Sequence, residues 1–299
     1  MRLFNLIITK VLPFLPKWFA KPFAKSYVAG ETFDEALKKV RELNDGGFKA
    51  TLDILGEHIN HPGEAKKITA QYCLLYDKID EASLDCSISV KPTHIGLSIS
   101  KNEAIANMTK IANKASDLGN FLRIDMENSK YTDQTLEILN ECRNLYENVG
   151  VAIQAYLYRS ENDIDNFSNN HFNLRICKGI YNEPEKIAYK NYDDIQNNFL
   201  LLAKKVALKG GFCGYATHDL FLIDRLLEWI NEEKIPSNLF EFQVLYGVPM
   251  GNKLDELIKK GFSVRVYVPF GPDWFDYSIR RLKENPNLVG YVLSNLIKS

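Results

Sequence analysis

Several common signatures are missing from these 299 residues. No GxGxxG comes after a strand-like run and no GxxxxGK[ST] occurs, so neither a Rossmann nor a P-loop nucleotide site is indicated; GxSxG and HExxH are absent too. Cysteine is sparse. Cys73, Cys86, Cys142, Cys177 and Cys213 are odd in number, far apart and without a CxxC pair, which excludes a disulfide framework or zinc knuckle and points to reduced thiols in a cytosol-like compartment. A basic excess is also lacking: 37 Lys and Arg face 38 Asp and Glu, for a net charge of −1, so no nucleic-acid partner is expected. No apolar run reaches bilayer length. Leu3–Ile8 is the first candidate, and Lys10, Pro13, Pro16 and Lys17 interrupt the chain soon after it, with no clear signal-peptide cleavage site.

The residues that are present make a globular composition. A hydrophobic content of 45% with 25% charged residues is far from disordered or collagenous compositions, and a chain this long puts roughly three-quarters of its surface out of water on folding. Charge is uneven. Residues 1–30 hold Arg2, Lys10, Lys17, Lys21 and Lys25 and no acid, leaving −6 for the remainder. This start reads as a helix pair covering one end of the domain, since terminal charge is ordinarily a solvated face. The alternative is an amphipathic cationic segment, residues 1–25, touching an anionic membrane surface.

Eight short apolar β-rich runs occur in order: Phe48–Leu55, Cys86–Lys91, Phe121–Met126, Val149–Tyr156, Phe172–Lys178, Phe212–Thr217, Leu239–Leu245 and Ser263–Val268. Helix-like segments lie between them, including Glu64–Tyr76, Glu103–Asp117, Asp133–Tyr146, Asp193–Lys209, Phe221–Glu232 and Asn252–Lys260. Strands alternating with helices call for parallel pairing. An open doubly wound sheet and a closed barrel both fit, but a count of eight favours closure. The expected fold is therefore α/β, a (βα)8 TIM-like barrel over residues 47–299, with residues 1–46 as an N-terminal helical extension and a catalytic final helix.

In such a barrel the chemistry sits at the C-terminal strand ends. Unusual polar residues collect there: Asp53 and Glu57, Lys91, Asp125 and Glu127, Gln154, Arg175 and Lys178, Thr217-His218-Asp219, Glu241 and Gln243, and Tyr267. Strand interiors read otherwise as Val, Ile, Leu, Phe and Cys. Charge at nearly every strand end is too costly to desolvate unless it is paired or faces a ligand. Lys91 and Asp125, on neighbouring strands, are an expected pair. The final helix, Asp273–Leu282, leads through Arg280 and Arg281 to Glu284, which is within pairing reach of both arginines. Two guanidinium forks suit a carboxylate or phosphate. His58 and His61, spaced HxxH beside Glu57, read as exposed loop residues; His94 and His171 lack partners at metal spacing, so no metal is expected.

Ten segments taken together resemble the proline dehydrogenase family, in its compact monofunctional bacterial form. They are Tyr27-Val-Ala-Gly-Glu31, Leu52-Asp-Ile-Leu-Gly-Glu57, Ser89-Val-Lys-Pro-Thr93, Arg123-Ile-Asp-Met-Glu127, Gln154-Ala-Tyr-Leu-Tyr-Arg159, Arg175-Ile-Cys-Lys-Gly179, Ala216-Thr-His-Asp219, Phe240-Glu-Phe-Gln243, Val266-Tyr-Val-Pro269 and Arg280-Arg-Leu282. The resemblance implies an FAD-containing barrel that oxidises L-proline to 1-pyrroline-5-carboxylate by hydride transfer from C5 to the flavin N5, and passes electrons to a membrane quinone. It implies Asp125 and Arg175 as catalytic, with Arg175 at the flavin's reactive nitrogen. Arg280 and Arg281 would clamp the proline carboxylate, with Glu284 beside them. Lys91 would stand on the substrate side, with Tyr267 and Leu245 lining the proline ring. Met126, Gln154, Lys178, Gly179, Ile180, Thr217 and His218 fall at flavin-contacting positions. The location it implies is cytoplasmic or peripheral on the inner face of the cell membrane.

Three positions depart from the family pattern: Pro92 after Lys91, Ile180 in place of an alanine, and Asn128 in place of a glycine. Two other functions fit the barrel. A Schiff-base lyase would use Lys91 or Lys178 held neutral in a dry pocket. A flavin-binding regulator without turnover would bind FAD that proline fails to reduce.

Overall fold

The computed structural model describes residues 26–167, 172–275 and 277–279. Eight strands close into a barrel in sequence order, each parallel to its neighbours: β1 Lys49–Ile54, β2 Cys86–Val90, β3 Leu122–Ile124, β4 Val149–Gln154, β5 Asn173–Cys177, β6 Phe212–Ala216, β7 Phe240–Leu245 and β8 Val264–Phe270. The last pairs with the first, Thr51 opposite Tyr267. Every expected strand is present, trimmed or extended by a residue or two.

The helices are α1 Phe33–Asp45, α2 Pro62–Glu81, α3 Lys101–Asp117, α4 Thr132–Leu145, α5 Ser160–Asp165, α6 Tyr192–Leu208, α7 Leu220–Glu233 and α8 Lys253–Lys259. The sequence marks their starts. Ser100 caps α3 by accepting from Glu103 N, and Asn191 caps α6 by accepting from Asp193 N. A capping box opens α1: Thr32 Oγ1 accepts from Glu35 N, and Glu35 Oε2 accepts from Thr32 N. The short helix α5 has no counterpart among the segments expected from sequence.

Helix α1 packs against β1 and β8, burying Ala36 and Val40. It thus covers the seam where the barrel closes, which leaves the chain after β8 free to go elsewhere. That chain turns helical at residue 274, where buried Trp274 clusters with Leu55, the residue after β1, and with Tyr27 and Val28. The final helix therefore begins at the barrel mouth. Arg280, Arg281 and Glu284 lie outside the described residues, as do residues 1–25 and His171. Among the described residues no helix is long and apolar enough to cross a membrane.

Successive strand residues face opposite ways, and here the two faces differ sharply. Ala50, Leu52, Ile54, Ile88 and Val90 join the apolar helix faces in one core. The alternate positions carry polar side chains into the barrel: Thr51 and Asp53, Ser87 and Ser89, Arg123 and Asp125, Glu241 and Gln243, Arg265 and Tyr267. This corrects the expectation of apolar strand interiors. The outward set is apolar, and the inward set is largely polar, with Ala152, Phe212, Gly214 and Ala216 among its exceptions on β4 and β6.

Candidate active site

Position along the inward face separates mouth from floor. At the floor, a cavity of about 210 Å³ is lined by Lys49, Ser87, Arg123, Asn173, Glu241 and Arg265, and it reaches up to Arg175 and Gln243. Glu241 belongs here, not at the mouth as the sequence suggested. It accepts from Arg265 Nε at 2.6 Å. Its pKa lies below the ordinary carboxylate range, because the Arg265 cation outweighs the opposing effect of burial. Arg123 is 2% exposed, stacks on Phe121 and donates to the carbonyls of Val151 and Asn173.

One level up, β3, β5 and β8 converge on a buried ion pair. Arg175 Nη1 donates to Asp125 Oδ1 at 2.7 Å, and Tyr267 donates its hydroxyl to the other oxygen at 2.9 Å. The Arg175 guanidinium lies 5.3 Å from the centre of the Tyr267 ring. Burial, with Asp125 next to it, holds the Tyr267 phenol well above its usual pKa, so it stays a proton donor. Beside this group, Lys91 Nζ meets Asp53 Oδ2 at 2.5 Å. The expected Lys91–Asp125 pair is therefore not formed; Asp125 is taken by Arg175 and Tyr267. Asp53 is 1% exposed, and burial pushes its carboxyl up to about 6 even with Lys91 opposing.

The rim holds the remaining predicted residues among those the structure describes. Gln154 Nε2 donates to the Met126 carbonyl at 3.4 Å, while its buried Oε1 has no partner among the described residues. Lys178, Tyr192 and Gln196 all donate to Asp219 Oδ2, whose pKa falls to about 2 because these bonds outweigh burial. Asp219 also caps α7 through Phe221 N. Thr217 Oγ1 accepts from Asp219 N, and His218 Nε2 accepts from Leu245 N at 2.8 Å, which assigns the proton to Nδ1. Gly179 has φ +107° and no room for a side chain, since a Cβ there would fall 2.2 Å from the Tyr156 ring. Ile180 beyond it is 60% exposed.

Around β1 to β3, Glu127 accepts from Thr93 N and Thr93 Oγ1, and buried His94 lies 3.3 Å from the Tyr72 hydroxyl. Glu57 and His58 stand close to Glu127, with one ligand atom from each of the three within 4.8 Å of the others. Both Glu127 oxygens are committed to Thr93. Burial, reinforced by Lys91, drops the His94 pKa to about 3. The unfolded chain therefore takes up a proton below pH ~6.5 that native His94 refuses, and stability falls with acidification across that window by up to about 1.4 kcal/mol per pH unit. His94→Asn is expected to shrink the stability difference between about pH 7 and pH 5 in urea melts. An unchanged difference would clear His94 of this role.

Sequence reasoning missed Arg123, Arg265, Tyr192 and the Thr93–Glu127 contact. The first two had a readable signal: each sits two residues before a mouth residue on its strand, and so on the same inward face.

Residues 36–292 match the family described as Proline dehydrogenase. The chain is 37% identical over 285 residues to "Proline dehydrogenase 1" of Bacillus subtilis subsp. natto, covering 94% of each chain. It is 32% identical over 280 residues to "Proline dehydrogenase" of Deinococcus radiodurans, covering 92% of this chain and 90% of that one. Among solved structures, proline utilization A (PutA) from Bdellovibrio bacteriovorus, inactivated by N-propargylglycine, superposes with a TM-score of 0.82 at 25% identity; the match covers 88% of this chain and 33% of that longer one. With the barrel, the buried polar mouth and a family match over most of its length, the chain belongs to the proline dehydrogenase family of oxidoreductases.

Proposed function

We propose that the protein oxidises L-proline to 1-pyrroline-5-carboxylate, with FAD as its cofactor and a membrane quinone as final acceptor. The observation that carries the reading is the buried Arg175–Asp125–Tyr267 cluster at the inner mouth, with the Lys91–Asp53 pair beside it.

The rim fits FAD in its donor set. Gln154 Oε1 is a buried acceptor awaiting an N–H, as a flavin ring offers. Lys178, Thr217 and His218 supply cationic and hydrogen-bonding groups suited to a diphosphate and ribose. Exposed Ile180, Tyr192 and Phe221 add apolar surface for flat rings. Met126 and Gly179 complete the set proposed to hold it. FAD, when bound, supplies the acceptor for the hydride that leaves proline C5.

The chain's own groups do the rest. Arg280 and Arg281 are proposed to clamp the carboxylate, with Glu284 beside them, because a bidentate fork fixes orientation and positioning can supply several kcal/mol of the barrier. Lys91, its pKa raised because Asp53 and Asp125 outweigh burial, stays charged and draws the carboxylate inward. Tyr267 and Leu245 wall the ring and exclude water. Arg175 places a fixed positive charge where negative charge develops on the acceptor side. The cationic residues 1–25 are proposed as the contact with the membrane face that holds the quinone.

An anaerobic visible spectrum of the purified protein tests this directly. Flavin bands that bleach on adding L-proline are the expected result. Bound flavin that proline leaves oxidised would overturn the substrate, and a folded sample that takes up no FAD would overturn the cofactor.

A further inference from the structure

Gln243 and Glu241 have no part in the chemistry proposed above, yet they connect directly to Arg175. Gln243 Oε1 accepts from Arg175 Nε at 2.6 Å, and Gln243 Nε2 donates to Glu241 Oε1 at 2.7 Å. That same Glu241 oxygen accepts from Arg265 Nε. Arg265 and Tyr267 lie two apart on β8 and so face the same way. The result is a hydrogen-bonded chain across the barrel: Arg265, Glu241, Gln243, Arg175, Asp125, Tyr267.

We propose that Gln243 is a positioning residue for Arg175, its carboxamide held in the required orientation by Glu241. The role rests on the assignment of Arg175 to the reacting centre. A guanidinium is a rigid plane on a flexible stem, so one hydrogen bond leaves its tilt open, whereas two from different directions fix it. Asp125 on the β3 side holds Nη1, and Gln243 on β7 holds Nε. Between them the plane is set above the Tyr267 ring, with Nη2 making no hydrogen bond among the described residues.

The two ends of a carboxamide have nearly the same shape, and only hydrogen bonding selects between them. Turned over, Gln243 would put an N–H against Arg175 Nε–H and its carbonyl against the Glu241 carboxylate, losing both bonds at once. Glu241 prevents this by remaining ionised, and Arg265 keeps it so. The barrel also makes room for the device. Gly214 on β6 lies opposite Glu241, and a Cβ there would fall 2.4 Å from Gln243 Nε2. A side chain at that position would push the amide out of line.

The test uses the FAD-loaded full chain. Gln243→Met keeps the bulk and removes the acceptor. It is expected to lower kcat at least tenfold while the proline KM stays within about threefold, and to move the flavin midpoint potential to a more negative value, because Arg175 no longer holds its charge in place. The exchanged pair Glu241→Gln/Gln243→Glu keeps an acceptor for Arg175 Nε and the net charge, with the amide now at 241 and donating to the carboxylate at 243. It is expected to return kcat to within about threefold of wild type. Unchanged kcat and potential in Gln243→Met, a change in KM alone, or an exchanged pair that folds but stays tenfold slow would each overturn the proposal. If Gln243→Met does not fold, the exchanged pair decides; if neither folds, the residues serve barrel stability and the proposal fails. Wild-type flavin that proline does not bleach would instead defeat the functional assignment itself, a result distinct from all of these.

Discussion

Arg175→Met is expected to slow proline oxidation roughly 10²–10³-fold, the scale on which removal of one preorganised electrostatic group from a buried centre acts. Arg175 is 6% exposed, so its charge works in a poorly screened environment and needs no reorganisation as negative charge develops. The substitution also strips Asp125 of one of its two donors and Gln243 Oε1 of its donor. Arg175→Lys separates charge from geometry. An ammonium keeps the charge but cannot reach Asp125 and Gln243 in the same planar way. Its rate is expected to fall between those of wild type and Arg175→Met, with flavin content unchanged in both variants. Single-turnover measurements of flavin bleaching by proline would read this, and a lysine variant as fast as wild type would show that the planar fork is dispensable.

Lys91→Met is expected to produce the largest loss of stability, about 3–5 kcal/mol at neutral pH, because it abandons a carboxylate with almost no access to water. A fall in Tm on the order of 10 °C should accompany it. The pH dependence identifies the cause. Burial already raises Asp53 to about 6, and Lys91 is the main influence opposing a further rise. Without Lys91 the folded-state value climbs higher still above that of the unfolded chain. A carboxyl of this kind binds its proton more tightly in the native state, so its ionisation costs stability as pH rises through the folded value. The deficit of Lys91→Met relative to wild type should therefore be smallest near about pH 5 and grow above the folded value of Asp53 by up to about 1.4 kcal/mol per pH unit. Adding Asp53→Asn removes the abandoned charge and should recover most of the loss. A deficit independent of pH, or a double variant no better than the single, would place the effect elsewhere.

Both experiments depend on pairings that the sequence shows only in part. Asp53, Lys91, Asp125, Arg175 and Tyr267 stand out because charged groups at strand ends are costly to bury. Which cation meets which acid does not follow from that cost. The sequence points Lys91 toward Asp125, and it is held by Asp53; it points Glu241 to the mouth, and that residue lies at the floor with Arg265. Neighbouring strands are not a sufficient guide, because closing a barrel staggers the strands and sets each residue's height above the floor. Asp125 is two residues past Arg123 on β3, and that single step along the inward face separates the mouth cluster from the floor cavity.

The sequence alone determined the kinds and order of the elements, the short helix α5 excepted. Short apolar runs and helices with capped starts are local patterns, and local patterns survive in a one-dimensional reading. It also carried the family likeness, since those motifs are short and contiguous. The tertiary structure decided the division between a helix-facing apolar side and a largely polar lumen, and the partner of every buried charge. Those partners are far apart in the chain, 38 residues for Asp53 and Lys91 and 142 for Asp125 and Tyr267. Only the three-dimensional stagger of eight parallel strands brings them to the same height, and that height is what makes one polar residue part of the mouth and another part of the floor.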